Sequence, residues 1–400
     1  MRIGLIAALR HSEDAGLRAV LPLAGRSVLA WQAALLQSLE VERVLCLTDS
    51  VTASDELLQL QHALEIGGIA FHALKGFTAI PALVRAEDDL VILADGLLPD
   101  PAVVRAVLGA EGALMRAVAT IPADHPLATA HPEDFERIDA AHCWAGVLAM
   151  RGAPVQQLAD MPADADAISL LLRLALQAGT PARDLAAREL LPESWLLAVS
   201  TAALAKHETD LVARAAPPAD WRAPGMALAS ALVRALVPRA FAQGGLVAGG
   251  LGLVLLLGAV LLAAFGPAAA ALAMAGLGAF GAQVSLGFTG IASRLRREEL
   301  ATRASDVLEA AVDILASLTL WFALAPWPVW EPLAALGPVL IGLARLVARA
   351  PDNPLGRSAP DRTSLLLLLA LAAMVGRLPE AISCLALGLL TALLLRRSQD

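Results

Sequence analysis

Two acids, Glu309 and Asp313, stand four residues apart in "DVLEAAVDILASLTLWFAL", a run that is otherwise almost wholly apolar. That spacing puts both on one face of a helix. Ionisable groups inside an apolar segment of membrane length mark a functional site by default, and paired carboxylates suit a hard divalent cation. The competing reading is two polar residues near a membrane surface. A third acid, Asp95, follows the apolar run of "DLVILADGLLPD". A carboxylate there sits at the carboxyl end of a strand, where ligands meet an open parallel sheet. Asp95-Gly96 reads equally well as a turn.

The elements that must position these acids fall into two halves. The 400 residues are 58% hydrophobic, above the roughly 45–50% of ordinary globular chains, so part of the chain belongs in lipid. Residues 1–222 carry 17 Lys and Arg against 28 Asp and Glu, and residues 223–400 carry 13 against 10. An acidic half therefore precedes a mildly basic, apolar one. There are two lysines, Lys75 and Lys206, and no tyrosine; the arginine bias is compositional and does not describe a nucleic-acid surface. Cys46, Cys143 and Cys384 show no metal spacing and read as reduced thiols.

In the first half, strand-like runs ("RIGLIAAL", "VERVLCLT", "IAFHAL", "DLVILAD") alternate with helical ones ("SVLAWQAALLQSL", "ASDELLQLQHALEIGG"). That alternation predicts a doubly wound α/β domain over 1–215 with a mostly parallel sheet. "APPADWRAPG" breaks the pattern. A linker and interfacial helix are expected over 216–243, followed by an all-α transmembrane domain over 244–400. Six membrane-length runs are expected there: about 245–265, 267–287, 306–325, 329–348, 363–376 and 379–395. Arginines cluster on alternate connections and at the end, with only Arg377 on the other side. Both termini are then cytoplasmic at a bacterial-type inner membrane.

"GFTGIASRLRREELATRASDVLEAAVD", at the junction of the second and third runs, resembles the CDP-alcohol phosphatidyltransferase family. Its signature is D-x2-D-G-x2-A-R-x8-G-x3-D-x3-D. Asp313 takes the last carboxylate, Glu309 the one before, Ser305 the glycine and Arg296 the arginine. Phe288 and Ile291 occupy the first two aspartate positions, Ala292 the glycine and Leu295 the alanine. The resemblance implies metal binding by Glu309 and Asp313, a catalytic role for Asp313 at the acceptor hydroxyl, and nucleotide binding by Arg296. With two of four carboxylates replaced, the motif is partly degenerate.

The segment "GLRAVLPLAGRSVLAWQAALLQSLEVERVLCLTD" resembles the opening of nucleotidyltransferases of the glycosyltransferase-A type. Arg18 falls where that family has a phosphate-binding lysine. In the altered glycine-rich loop, "AALRHSEDAG", Leu9 and Arg10 replace the first glycine and its neighbour. The resemblance implies nucleotide binding by Arg10 and Arg18 and Mg²⁺ held by Asp95, with Asp139, Asp164 or Asp166 as second acid. His142 and Cys143 are expected to be a packed strand end.

In this order the two resemblances imply a fused membrane protein that makes a CDP-activated polyol phosphate and transfers it. Its partners would be CTP or a CDP-alcohol, a polyol phosphate or lipid, membrane lipid and, by analogy, a second copy in a homodimer. A non-catalytic scaffold for a lipid-modifying partner is the alternative.

Overall fold

The structure is a computed structural model. It describes the whole chain except residues 15, 50–54, 110–113, 163–164, 187–188, 192–193, 216–219, 241–243, 297–299, 330, 350–354 and 397–400. The chain packs as two units, Met1–Glu208 and Thr209–Asp400.

In the first unit seven strands form one mixed sheet: β1 (Arg2–Ala8), β2 (Arg43–Thr48), β3 (Ala70–Leu74), β4 (Asp89–Leu93), β5 (Ala117–Pro122), β6 (His142–Arg151) and β7 (Ala182–Asp184). Their order is β3-β2-β1-β4-β6-β5-β7. β6 runs antiparallel to both its neighbours, and the other pairs are parallel. The apolar runs of β1, β2 and β4 are buried nearly end to end, as expected of strands covered on both faces.

Local signals start the helices. In α1 (Val28–Ser38) the Ser27 hydroxyl accepts from the Ala30 amide at 3.2 Å. In α3 (Pro101–Leu108), which follows α2 (Asp55–Ile66), Asp100 accepts from Ala102 N and Pro101 occupies the first position. Asp166, one of the expected second acids, accepts from Ile168 N and Ser169 N and caps α4 (Ala167–Gln177). Each cap satisfies amides that have no partner within the helix.

The chain passes from β1 outward to β2 and β3, then returns to lay β4 on the other side of β1. The order therefore reverses between β1 and β4, the kind of switch point at whose carboxyl ends open α/β sheets take their ligands.

Helix α5 (Thr201–Ala215) carries the chain into the second unit. That unit holds α6 (Pro224–Ala240), α7 (Gly244–Phe265), α8 (Ala268–Arg296), α9 (Leu300–Leu324), α10 (Leu336–Ala348), α11 (Arg362–Met374) and α12 (Leu378–Arg396). Six helices form where the six apolar runs were expected. Three stretches, Gly244–Phe265, Ala268–Ser293 and Arg303–Leu324, are long and apolar enough to cross a membrane among the described residues.

α10 and α11 have 13 residues each, about 20 Å of helix against a hydrocarbon core of roughly 30 Å. In the fourth apolar run a 3₁₀ turn, Pro332–Ala335, leads directly into α10, and Pro332–Ala348 runs on as one apolar helical stretch. α7 and α8 meet backbone to backbone: a Cβ on Gly252 would lie 2.7 Å from Gly278 O and 2.8 Å from Ala282 N.

Candidate functional site

Asp95 lies at the chain reversal. Its Oδ2 accepts from Leu9 N and Arg10 N, both at 2.7 Å, at the carboxyl end of β1. Two amides of the loop predicted to cradle phosphate are thus turned onto Asp95. The loop is closed on itself by Arg18 N donating to Arg10 O at 2.9 Å and Ser12 N to Gly16 O at 2.7 Å.

The turn that presents Asp95 is fixed from three sides. Gln32 of α1, which is buried, donates to Ala94 O at 2.7 Å and Leu97 O at 2.9 Å. Ala94 N donates to Gly146 O of β6, and Ala198 N donates to Gly96 O, each at 2.8 Å. Gly96 has φ of +75°, where a side chain is strained, and a Cβ there would come within 3.0 Å of Arg18 Cδ. Arg18 therefore lies directly over the turn.

Asp95 is 4% exposed, and its Oδ1 is buried with no hydrogen-bond partner. Burial pushes its carboxyl up to about 6, against the opposing pull of the Arg10 and Leu9 amides and the charges of Arg18 and Arg10. Burial, with the Asp95 charge beside it, pushes the Cys46 thiol up to about 12.

The two arginines meet a second buried acid that the sequence reading did not single out. Arg18 Nη1 reaches Asp134 Oδ1 at 2.8 Å and Arg10 Nε reaches the same oxygen at 3.4 Å. Arg10 also pairs with the exposed Glu133 at 3.6 Å. Arg10, Arg18 and Asp95 are therefore brought together. Asp139 lies elsewhere: its carboxylate accepts from the Ala141 and His142 amides and sits 3.0 Å from His142 Nδ1, with Asp184 3.6 Å from Nε2. These contacts hold its carboxyl below the usual range and raise the His142 imidazole. His142 and Cys143 open β6, as expected of a strand end. Asp164 lies outside the described residues.

As a place for a divalent cation, Asp95 offers one uncommitted carboxylate oxygen. That fits an ion that takes most of its other ligands from phosphates and water. Among the described residues no group of three or more His, Cys, Asp or Glu could hold a metal unaided.

In the helical unit, Asp313 Oδ1 accepts from Arg362 Nε at 2.6 Å and Oδ2 from Arg345 Nη1 at 2.8 Å. Both oxygens are held by guanidinium groups. Arg362 is further fixed by donating to Ala359 O. Glu309, one turn earlier on α9, is exposed and lines a cavity of about 140 Å³ with Asp313, Arg345, Arg362 and Gln283. Asp361, next to Arg362, caps α11 at Ser364 N and accepts from Gly225 N of α6 at 2.8 Å. Phe288 and Ile291, at the first two signature positions, are buried in apolar packing. Arg296 lies in α8, and its side chain is outside the described residues.

No family model matches the chain, and no curated protein matches it. Among solved structures, the inositol-1-phosphate CTP transferase from T. maritima is similar at 14% identity and a TM-score of 0.35, over 52% of this chain and 96% of that one. The strand order and the reversal between β1 and β4, rather than a likeness at that score, define the α/β unit.

Proposed function

We propose that the α/β unit is a nucleotidyltransferase that joins CTP to a phosphorylated polyol. The reading is supported above all by one observation: a buried carboxylate with one unpartnered oxygen stands at the switch point of the sheet, beside two arginines. A phosphate oxygen of the polyol would attack the α-phosphorus of CTP, and pyrophosphate would leave with the electrons of the broken bond. Arg10 and Arg18 would exchange Asp134 for the triphosphate, placing two guanidinium groups on the charge that grows on the leaving pyrophosphate. Mg²⁺, when bound at Asp95, would supply charge neutralisation on those phosphates.

For the helical unit, the proposal is a membrane-embedded module of the CDP-alcohol phosphotransferase type with partly degenerate chemistry. Arg296, Glu309 and Asp313 would face an activated head group at an inner membrane. For Asp313 to take a metal or a proton, Arg345 and Arg362 would have to release it. That double pairing favours the second reading, a non-catalytic membrane module that scaffolds or regulates a lipid-modifying partner.

The test is pyrophosphate release from CTP and inositol phosphate by the full chain in detergent, with and without Mg²⁺. The expected result is Mg²⁺-dependent release that Asp95→Ala abolishes. Failure of the wild-type chain to bind CTP would overturn the proposal. Adding a lipid acceptor separates the two readings of the helical unit: a lipid-linked product supports transfer, and accumulation of the soluble CDP product alone supports the non-catalytic module.

A further inference from the structure

The loop that carries Arg10 and Arg18 is a small hairpin, closed where His11 bridges Leu17 in antiparallel register and Arg18 Nε donates to His11 O at 3.2 Å. Its base holds the two arginines on Asp134 and turns the Leu9 and Arg10 amides onto Asp95. Its tip is bound elsewhere. Glu13 N donates to Val199 O at 2.9 Å. Asp14 Oδ2 accepts from Thr201 N at 2.7 Å and from Thr201 Oγ1 at 2.9 Å.

Thr201 is the first residue of α5. Asp14 therefore sets a carboxylate on the helix N-terminus, where free amides and the helix dipole favour negative charge. The bonds from Thr201 hold the Asp14 carboxyl below its usual range. Ser200 Oγ accepts from Ala203 N at 3.3 Å, so the hairpin tip supplies one part of the cap and the local sequence the other. Farther along the same helix, Val212 is buried with Ala229, Val233 and Phe288 in the second unit.

The amides and guanidinium groups of this hairpin that would meet an anion are thus already committed. Two buried atoms go without a hydrogen-bond partner, Ser12 Oγ in the hairpin and Oδ1 of the Asp95 carboxylate that its amides hold. Each is a cost that the bonds at base and tip must offset. The hairpin stays in this state because it is held at both ends.

On the nucleotide-site reading of the α/β unit, we propose that the Asp14–Thr201 contact is an autoinhibitory latch. It holds the 10–18 hairpin in the state in which Arg10 and Arg18 are spent on Asp134, so that a polyphosphate on the two arginines and a capped α5 oppose each other. Whatever releases the hairpin tip raises affinity for the anion, and the anion loosens the first turn of α5 in the same proportion.

Two variants break the latch by different routes. Asp14→Ala removes the exposed carboxylate. Thr201→Pro removes the amide and the hydroxyl that bind it, changes no charge and suits the first position of a helix. Thr201→Val, which removes the hydroxyl alone, repeats the second route more gently. The full chain in detergent is titrated calorimetrically with tripolyphosphate, and hydrogen exchange is followed in segments 10–18 and 199–206 with and without it.

Asp14→Ala and Thr201→Pro are expected to bind tripolyphosphate about fivefold more tightly than the wild type, the worth of one helix cap, and Thr201→Val about twofold. In the wild type the anion is expected to speed exchange at Glu13 and in the first turn of α5. In the variants exchange there is already fast, and the anion leaves it unchanged. Tighter binding by Asp14→Ala alone would assign the effect to the lost negative charge, and weaker binding by all three would show that the tip holds the hairpin ready for the anion; either result overturns the latch. Wild-type binding with exchange in α5 unchanged or slowed overturns the latch and leaves the nucleotide site standing. Absence of binding by the wild type and every variant overturns both.

Discussion

Asp95→Asn is expected to stabilise the protein while destroying its proposed chemistry. The carboxyl is moved from its ordinary 3.8 to about 6, chiefly by burial. A carboxyl that ionises less readily in the folded chain than in the unfolded one contributes most below its unfolded value. That contribution is lost as pH rises to the folded value, and above it the penalty is constant. The shift corresponds to about 3 kcal/mol against the native state at pH 8, and to about 1 kcal/mol at pH 4.5. Asparagine removes the charge, keeps an oxygen for the Leu9 and Arg10 amides, and puts an amide where Oδ1 has no partner. In a unit of this size each kcal/mol moves the melting temperature by about 2–4 °C. Calorimetry of the full chain should therefore show the α/β transition of Asp95→Asn raised by about 6–12 °C at pH 8, with most of the gain gone at pH 4.5. A variant that melts below the wild type at pH 8, or a gain that ignores pH, would refute the account of a desolvated carboxylate.

Three further outcomes follow from contacts already described. Asp134→Asn frees Arg18 and Arg10 of a buried counter-charge; calorimetric titration with tripolyphosphate should show affinity raised several-fold, and a loss of affinity would show that Asp134 positions the arginines for the anion. Asp313→Asn leaves two guanidinium groups without their shared carboxylate and should cost about 3–5 kcal/mol; a detergent melt equal to the wild type would refute a structural role for the triad. Gly252→Ala drives a methyl into the backbone of α8 and should cost about 1–3 kcal/mol, whereas Gly250→Ala, whose Cβ meets nothing within 4 Å, should leave the melt unchanged.

The strands of the first unit were legible because buried parallel strands are written as short apolar runs between turn residues, and β1, β2 and β4 fall on three such runs. Asp95 was legible for the same reason, since a single acid ends an otherwise apolar strand. Asp134 was not: in "HPEDFERIDA" it is one acid among several, and only the fold shows that it is buried under two arginines. Arg345 and Arg362 were not singled out, because hydropathy says which side of a membrane a charge favours but not which side chain it meets. Gln32 looked like an ordinary helix residue, and its work on the Asp95 turn spans more than sixty positions of sequence. The six apolar runs of the second unit were legible as helices, whereas the 3₁₀ turn that precedes α10 was not, because a proline-initiated turn carries the same apolar residues as the helix it opens.

The pairing of Arg10 and Arg18 with Asp134 would make the proposed nucleotide site selective before any ligand arrives. An incoming anion gains only what it offers beyond the carboxylate it evicts. A singly charged ligand would trade like for like, whereas a polyphosphate brings several negative oxygens to the same two side chains. At the proposed nucleotide site the protein's own aspartate would thus set a threshold against small metabolite acids and in favour of densely charged ones.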